Sequence, residues 1–299
     1  MAVSYSKKLY NLAQKTFYGR YYYTGEEPSS IHIIRLFINK ILVFYLNFKI
    51  NLINKKRFFF RLGNYFKTKK KEYSSPTFKV NIDNNSLEQY SKKLKEEGYV
   101  FIENFLNEEY YKNIVDNWPD TNNFIHTNKI IKFYSVGFKF LPKKKNSKFN
   151  LEKNYLFNNN EIKNIYTQFM SNEFEKTVNT LINDQINHYS IIEILCTIAK
   201  NKSYLIPHMD TVAQDEGLKS YFNFIYFVDG CNINPELSGA TGMYMDNEFK
   251  NPLFIPNTLK NSCLIYNSTN KFFHGFQMID TPNNVTRKTI NFHFASVDT

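Results

Sequence analysis

The sequence predicts a mainly β domain, a sandwich or jelly roll with flanking helices, on three observations. Short strand-like runs separated by turn residues recur from Tyr189 to the C-terminus. Helical patterns precede them over 86–97, 107–118 and 161–182. The 299 residues are 42% hydrophobic, ample for a large core.

The elements follow in order. Residues 1–30 read as short helix and turn, with a Tyr21-Tyr22-Tyr23 run and a break over 25–30. The most apolar stretch, 31–50, is interrupted by His32, Arg35, Asn39, Lys40, Asn47 and Lys49, so it is too polar for a membrane span. Residues 64–77 are polar and lysine-rich and contain Ser74-Ser75-Pro76, which marks a boundary. Two units result: a basic, aromatic, largely helical extension over 1–75 and a domain over 76–299. Within the domain, 86–97 reads as a helix with Ser86 as N-cap and Gly98 as stop. Tyr99-Val100-Phe101-Ile102 is a strand, and 107–118 a second helix. Phe133, Tyr134 and Phe138 read as core and loop packing, or as a substrate mouth. Lys143-Lys144-Lys145 follows Pro142 and reads as a loop. A helical pattern covers 161–182. Strands are expected at 191–198, 204–208, 221–229, 242–245, 264–267, 272–279 and 289–295.

The net charge of +11 is unevenly spread. Residues 1–75 hold 15 Lys+Arg against 3 Asp+Glu, a net of +12; residues 76–299 hold 23 against 24, a net of −1. This asymmetry points to an acidic partner for the extension. On a helical projection, His32, Arg35, Asn39, Lys40 and Asn47 oppose Ile34, Phe37, Ile38, Ile41, Leu42 and Tyr45. A basic amphipathic helix of this kind, followed by Lys55-Lys56-Arg57 and Lys69-Lys70-Lys71, suits an anionic membrane surface or glycan. The competing reading packs the helix on the domain with its lysines solvated. No nucleic-acid-binding motif is present.

Cys196, Cys231 and Cys263 are odd in number and widely spaced, which fits neither a disulfide framework nor a zinc knuckle. With no secretory signal visible, the expectation is a reducing, cytoplasmic setting, peripheral at a membrane through the extension.

The chemistry concentrates in His208-Met209-Asp210, His274 and Arg287. On a strand, residues two apart share a face, so His208 and Asp210 can address one ion while Met209 points away. His274 follows 64 residues after Asp210. Two imidazoles and a carboxylate hold one face of a ferrous ion and leave the other open. Arg287 and Thr289 share a face on the last strand and can grip a carboxylate together. His293, on the same strand, lines that pocket or is a satisfied core histidine; His188, His126 and His32 read as structural or surface residues.

Residues 204–295 resemble the iron(II)/2-oxoglutarate-dependent dioxygenases, in particular their prolyl-4-hydroxylase-like and phytanoyl-CoA-hydroxylase-like groups. The family's HxD…H…R pattern falls on His208, Asp210, His274 and Arg287. Ile225-Tyr226-Phe227-Val228-Asp229 resembles its aromatic strand, and Ser238-Gly239-Ala240-Thr241-Gly242-Met243 its Gly-Gly-x-Leu turn, with Ala240 for the second glycine. Upstream, 94–106 resembles the opening helix and strand, so the resemblance covers 86–299. Arg287 lies thirteen residues past His274, a long interval for the family, which makes Lys288 a spare anchor.

The resemblance implies a double-stranded β-helix (jelly-roll, cupin-like) core and an Fe(II)- and 2-oxoglutarate-dependent oxygenase that uses O2, with ascorbate as a supporting reductant. His208, Asp210 and His274 would hold the metal and Arg287 the far carboxylate of 2-oxoglutarate. Thr289 and Tyr226 would be further co-substrate contacts. The carboxylate of Asp210 favours hydroxylation, desaturation or ring chemistry over halogenation. No substrate signature is legible. The basic extension favours a lipid-linked or glycan substrate; a peptidyl side chain, a small metabolite, or a silent binding module of the same fold are the alternatives.

Overall fold

Two antiparallel sheets frame the chain in a computed structural model that describes residues 77–119, 125–127, 133–139, 160–184, 189–209, 221–230, 239–268, 272–281 and 286–296. The extension over 1–75, Lys143-Lys144-Lys145, Cys231 and Asp210 lie outside the described residues.

Helix α1 (Asn84–Glu97) opens on Asp83, whose carboxylate accepts from the Ser86 amide at 2.9 Å. Asp83 is therefore the cap, and Ser86, expected in that role, sits inside the first turn. Gly98 stops the helix in the left-handed region at φ 81°, where a side chain is disfavoured. The turn feeds β1 (Tyr99–Ile102). Helix α2 (Glu108–Asp116) is shorter at both ends than expected, with Glu108 and Glu109 at its positive end. The helical pattern over 161–182 is two helices, α3 (Asn160–Phe169) and α4 (Asn172–Ile182). Ser171 separates them because its hydroxyl caps α4, accepting from the Phe174 amide at 3.2 Å.

The remaining strands are β2 (Ile125–Thr127), β3 (Phe133–Lys139), β4 (Tyr189–Lys200), β5 (Leu205–His208), β6 (Tyr221–Asp229), β7 (Gly242–Tyr244), β8 (Pro252–Phe254), β9 (Ser262–Asn267), β10 (Phe273–Phe276) and β11 (Thr286–Ser296). Phe133, Tyr134 and Phe138 thus belong to a strand rather than a loop. The large sheet runs β1-β9-β6-β11-β4-β3-β2 and the small one β5-β10-β7-β8.

The pairings are nested. β4 joins β11, β5 joins β10, β6 joins β9 and β7 joins β8, all antiparallel, with successive pairs alternating between sheets. That is the winding of a double-stranded β-helix, as the sequence predicts.

Both faces of the large sheet are buried. Its outer face carries Tyr226, Phe292 and Phe294, packed against the helices; Phe169 and Phe292 have ring centroids 4.5 Å apart. Its inner face carries Ile225, Phe227 and Leu264, which meet Met243 and Phe276 of the small sheet. Cys196 and Cys263 are buried thiols that form no disulfide, and burial pushes the Cys263 thiol well above its ordinary range, so it is a core residue. Among the described residues, no helix is long and apolar enough to cross a membrane.

Candidate metal and carboxylate site

Register alone brings the two histidines together. His208 ends β5 and stands directly opposite His274 of β10. Their ring centroids are 4.2 Å apart at an interplanar angle of 47°. The approach requires Gly275: a Cβ there would lie 2.5 Å from the Leu205 carbonyl oxygen and 2.8 Å from the Pro207 nitrogen, both backbone atoms of the facing segment. The His208 Nδ1 is 2.9 Å from the Ile206 carbonyl. A carbonyl only accepts, so Nδ1 carries the proton and, in the neutral ring, Nε2 keeps the lone pair a metal needs. His274 is buried beside the Tyr266 ring, with centroids 4.9 Å apart.

The third expected ligand, Asp210, falls outside the described residues. Among the described residues no group of three His, Cys, Asp or Glu side chains comes together.

The inner face of the large sheet is ordered in layers by cross-strand register. Arg287 pairs with Ala199; Thr289 with Thr197 and Phe227; Asn291 with Leu195 and Ile225; His293 with Asn223, which pairs in turn with Tyr266. Arg287 belongs to the layer at one end, and the Tyr266 layer at the other touches His274. The small sheet also connects the two ends: Phe276 lies 4.4 Å from the Arg287 guanidinium and is two residues along β10 from His274.

Arg287 is 4% exposed. Phe227 and Phe276 cover its faces at 5.2 and 4.4 Å. Its Nη2 donates to the Thr241 hydroxyl at 2.5 Å, while its buried Nε has no hydrogen-bond partner. Among the described residues no carboxylate pairs with it. Burial pulls its pKa down to about 9, because a charge taken out of water without a counter-ion is disfavoured. A buried guanidinium with an unbonded Nε has the chemistry to receive a carboxylate.

The other expected residues distribute unevenly. Thr289 shares the inner face with Arg287, as predicted, and its hydroxyl is 2.5 Å from that of Thr197. The hydroxyl that touches Arg287 belongs instead to Thr241, a residue of the glycine-containing turn that carried no role in the sequence reading. Only its place in that turn hinted at it. Lys288, the spare anchor, is occupied by Asp229 at 3.4 Å. Tyr226 must be corrected. It pairs with Ile290 on the outer face, packs on Phe105 and Phe169, and donates its hydroxyl to Asn261 at 3.0 Å. Successive strand residues face opposite ways, and Phe227 is the one turned towards Arg287. His293 lies on the inner face, in the Asn223 layer.

No protein-family model matches the chain, and no curated protein matches it. Solved structures do resemble it. One is an oxidoreductase of the 2OG-Fe(II) oxygenase family from Burkholderia pseudomallei, at 10% identity and a TM-score of 0.49, covering 75% of this chain and 95% of that one. Another is a prolyl-4-hydroxylase from Pseudomonas putida, at 8% identity and a TM-score of 0.47, covering 71% and 99%. A third is a prolyl hydroxylase from Trichoplax adhaerens in complex with a hypoxia inducible factor peptide, at 14% identity and a TM-score of 0.45, covering 72% and 94%.

Proposed function

We propose that the chain is an Fe(II)- and 2-oxoglutarate-dependent oxygenase. One observation carries the reading: the paired imidazoles of His208 and His274 on the small sheet, and the buried guanidinium of Arg287 on the large sheet, with which no carboxylate of the described residues pairs, both contact residues between the two sheets. The fit to both groups is good. Imidazole nitrogens suit a first-row divalent metal, and the unpartnered Arg287 Nε suits a carboxylate oxygen. Iron with 2-oxoglutarate and dioxygen would supply oxidation of an unactivated C–H bond, coupled to loss of carbon dioxide from the keto acid.

The chain's own residues have the following parts. His208 and His274 would hold the metal, and Asp210, two residues after His208 in sequence, is the proposed third ligand. The Ile206 carbonyl fixes the His208 tautomer. Arg287 binds the far carboxylate of the keto acid, and Thr241 fixes the fork's orientation. Phe227 and Phe276 keep water from that ion pair, which strengthens it. Thr289 and Thr197 form the polar wall next to it. For the substrate, the charge of the extension favours a lipid-linked or glycan molecule held at an anionic surface, over a peptidyl or small-metabolite substrate.

The test is succinate formation from 2-oxoglutarate by the full chain with added Fe(II). Turnover in wild type that vanishes in His208→Ala and falls at least about a hundredfold at low 2-oxoglutarate in Arg287→Ala, as removal of a charge-assisted pair implies, supports the reading. Metal and 2-oxoglutarate binding without turnover would favour a binding module of the same fold.

A further inference from the structure

Strand β6 reads Tyr221-Phe222-Asn223-Phe224-Ile225-Tyr226-Phe227-Val228-Asp229, and one amide interrupts its apolar interior. Asn223 is 2% exposed. A buried amide is unfavourable unless bonded, and this one donates through Nδ2 to the Tyr266 hydroxyl at 2.8 Å. The two residues are direct cross-strand partners on the inner face. Tyr266 is equally buried, and its ring lies 4.9 Å from that of His274 at 41°.

The His274 backbone is fixed on both sides by its pairing with His208 and Met243. Backbone pairing alone does not set the orientation of its ring, which depends on the side chains around it, and metal binding requires one orientation. Apolar packing is non-directional, whereas the hydrogen bond from Asn223 pins the Tyr266 oxygen, and with it the long axis of the ring that lies against His274. A phenylalanine at 266 and an apolar residue at 223 would fill the same space without that constraint.

We propose that Asn223 and Tyr266 are positioning residues that set the orientation of the His274 ring for metal binding. This rests on the reading of His208 and His274 as metal ligands. Groups that orient metal-binding imidazoles typically matter by about 10–100-fold in metal affinity.

The test uses the full chain, stripped by chelation and titrated with Co(II), whose visible absorption reports ligand geometry. Tyr266→Phe keeps the ring and the volume, and Asn223→Leu removes the donor. Each is expected to weaken Co(II) binding about tenfold and to shift the absorption bands. The double variant is expected to be no weaker than either single one, because both break the same bond. Thermal melting of the metal-free proteins verifies that each variant is folded. Folded variants with wild-type affinity and spectrum, or strictly additive losses, would overturn the proposal and leave the metal reading intact. A wild-type chain that takes up no Co(II) would overturn both.

Discussion

Arg287 illustrates how a single residue can be unfavourable for the fold and necessary for the site. Among the described residues no carboxylate pairs with this buried guanidinium, and a charge so placed destabilises the ligand-free protein. Arg287→Leu should therefore raise the melting temperature of the ligand-free chain, by about 1–4 kcal/mol of stability, and abolish stabilisation by 2-oxoglutarate. The pH dependence follows from the lowered pKa of about 9. Above that value the folded state holds fewer protons than the unfolded one, so wild type gains on the variant only from there upward; below it the difference is flat. Differential scanning calorimetry at neutral and alkaline pH measures both. A variant less stable than wild type at neutral pH would make the arginine structural. Tyr226 provides the opposite case. Its hydroxyl serves Asn261, whose side chain also binds the Leu106 amide and carbonyl. Tyr226→Phe should lower stability by about 1 kcal/mol and leave 2-oxoglutarate affinity unchanged in calorimetric titration. A fall in that affinity would return Tyr226 to the site.

At the scale of elements, the site is produced by the approach of β5 to β10. Gly275→Ala sets a methyl group against the Leu205 carbonyl, and backbone cannot yield as a side chain can. The expected result is a loss of about 1–3 kcal/mol from overpacking, with metal affinity falling about tenfold or more because His208 is carried on the displaced strand. Unchanged metal binding would refute the view that this contact builds the site. The same scale explains what could be read from sequence. β1 and β6 fall on the predicted residues because β-branched and aromatic runs bounded by turn residues are unambiguous. The approach of His208 to His274 was legible from chemistry and order, while Asp210 lies outside the described residues. The face of Tyr226 was not: β6 is buried on both sides, so alternation divides its residues into two sets without saying which one looks inward. β3 carries Gly137 mid-strand, and β8 is a three-residue segment opening on Pro252, so both lack a strand signature. Asn223 and Tyr266 acquire roles through register between strands far apart in sequence, and Thr241 through a side-chain contact with a residue 46 positions away.

The molecule as a whole divides by charge. Residues 76–299 carry a net of −1, so long-range attraction to an anionic surface has to come from residues 1–75, with their net of +12. Each Lys or Arg near an anionic membrane contributes about 1 kcal/mol, and that contribution fades with the screening length, which falls to about 3 Å at 1 M salt. Two mechanisms then separate cleanly. If the basic side of 31–49 and the clusters at Lys55-Lys56-Arg57 and Lys69-Lys70-Lys71 mediate contact, the full chain should sediment with phosphatidylserine vesicles in low salt, remain in solution with neutral phosphatidylcholine vesicles, and be released at high salt. Exchanging Lys69, Lys70 and Lys71 for Glu should cut the bound fraction severalfold while succinate formation in solution stays at the wild-type rate. If the apolar side of the same stretch dominates, neutral vesicles should bind as well and salt should have little effect. Absence of sedimentation with either vesicle would refute a membrane role for the extension, and with it the reason for favouring a substrate displayed at a surface over one free in solution.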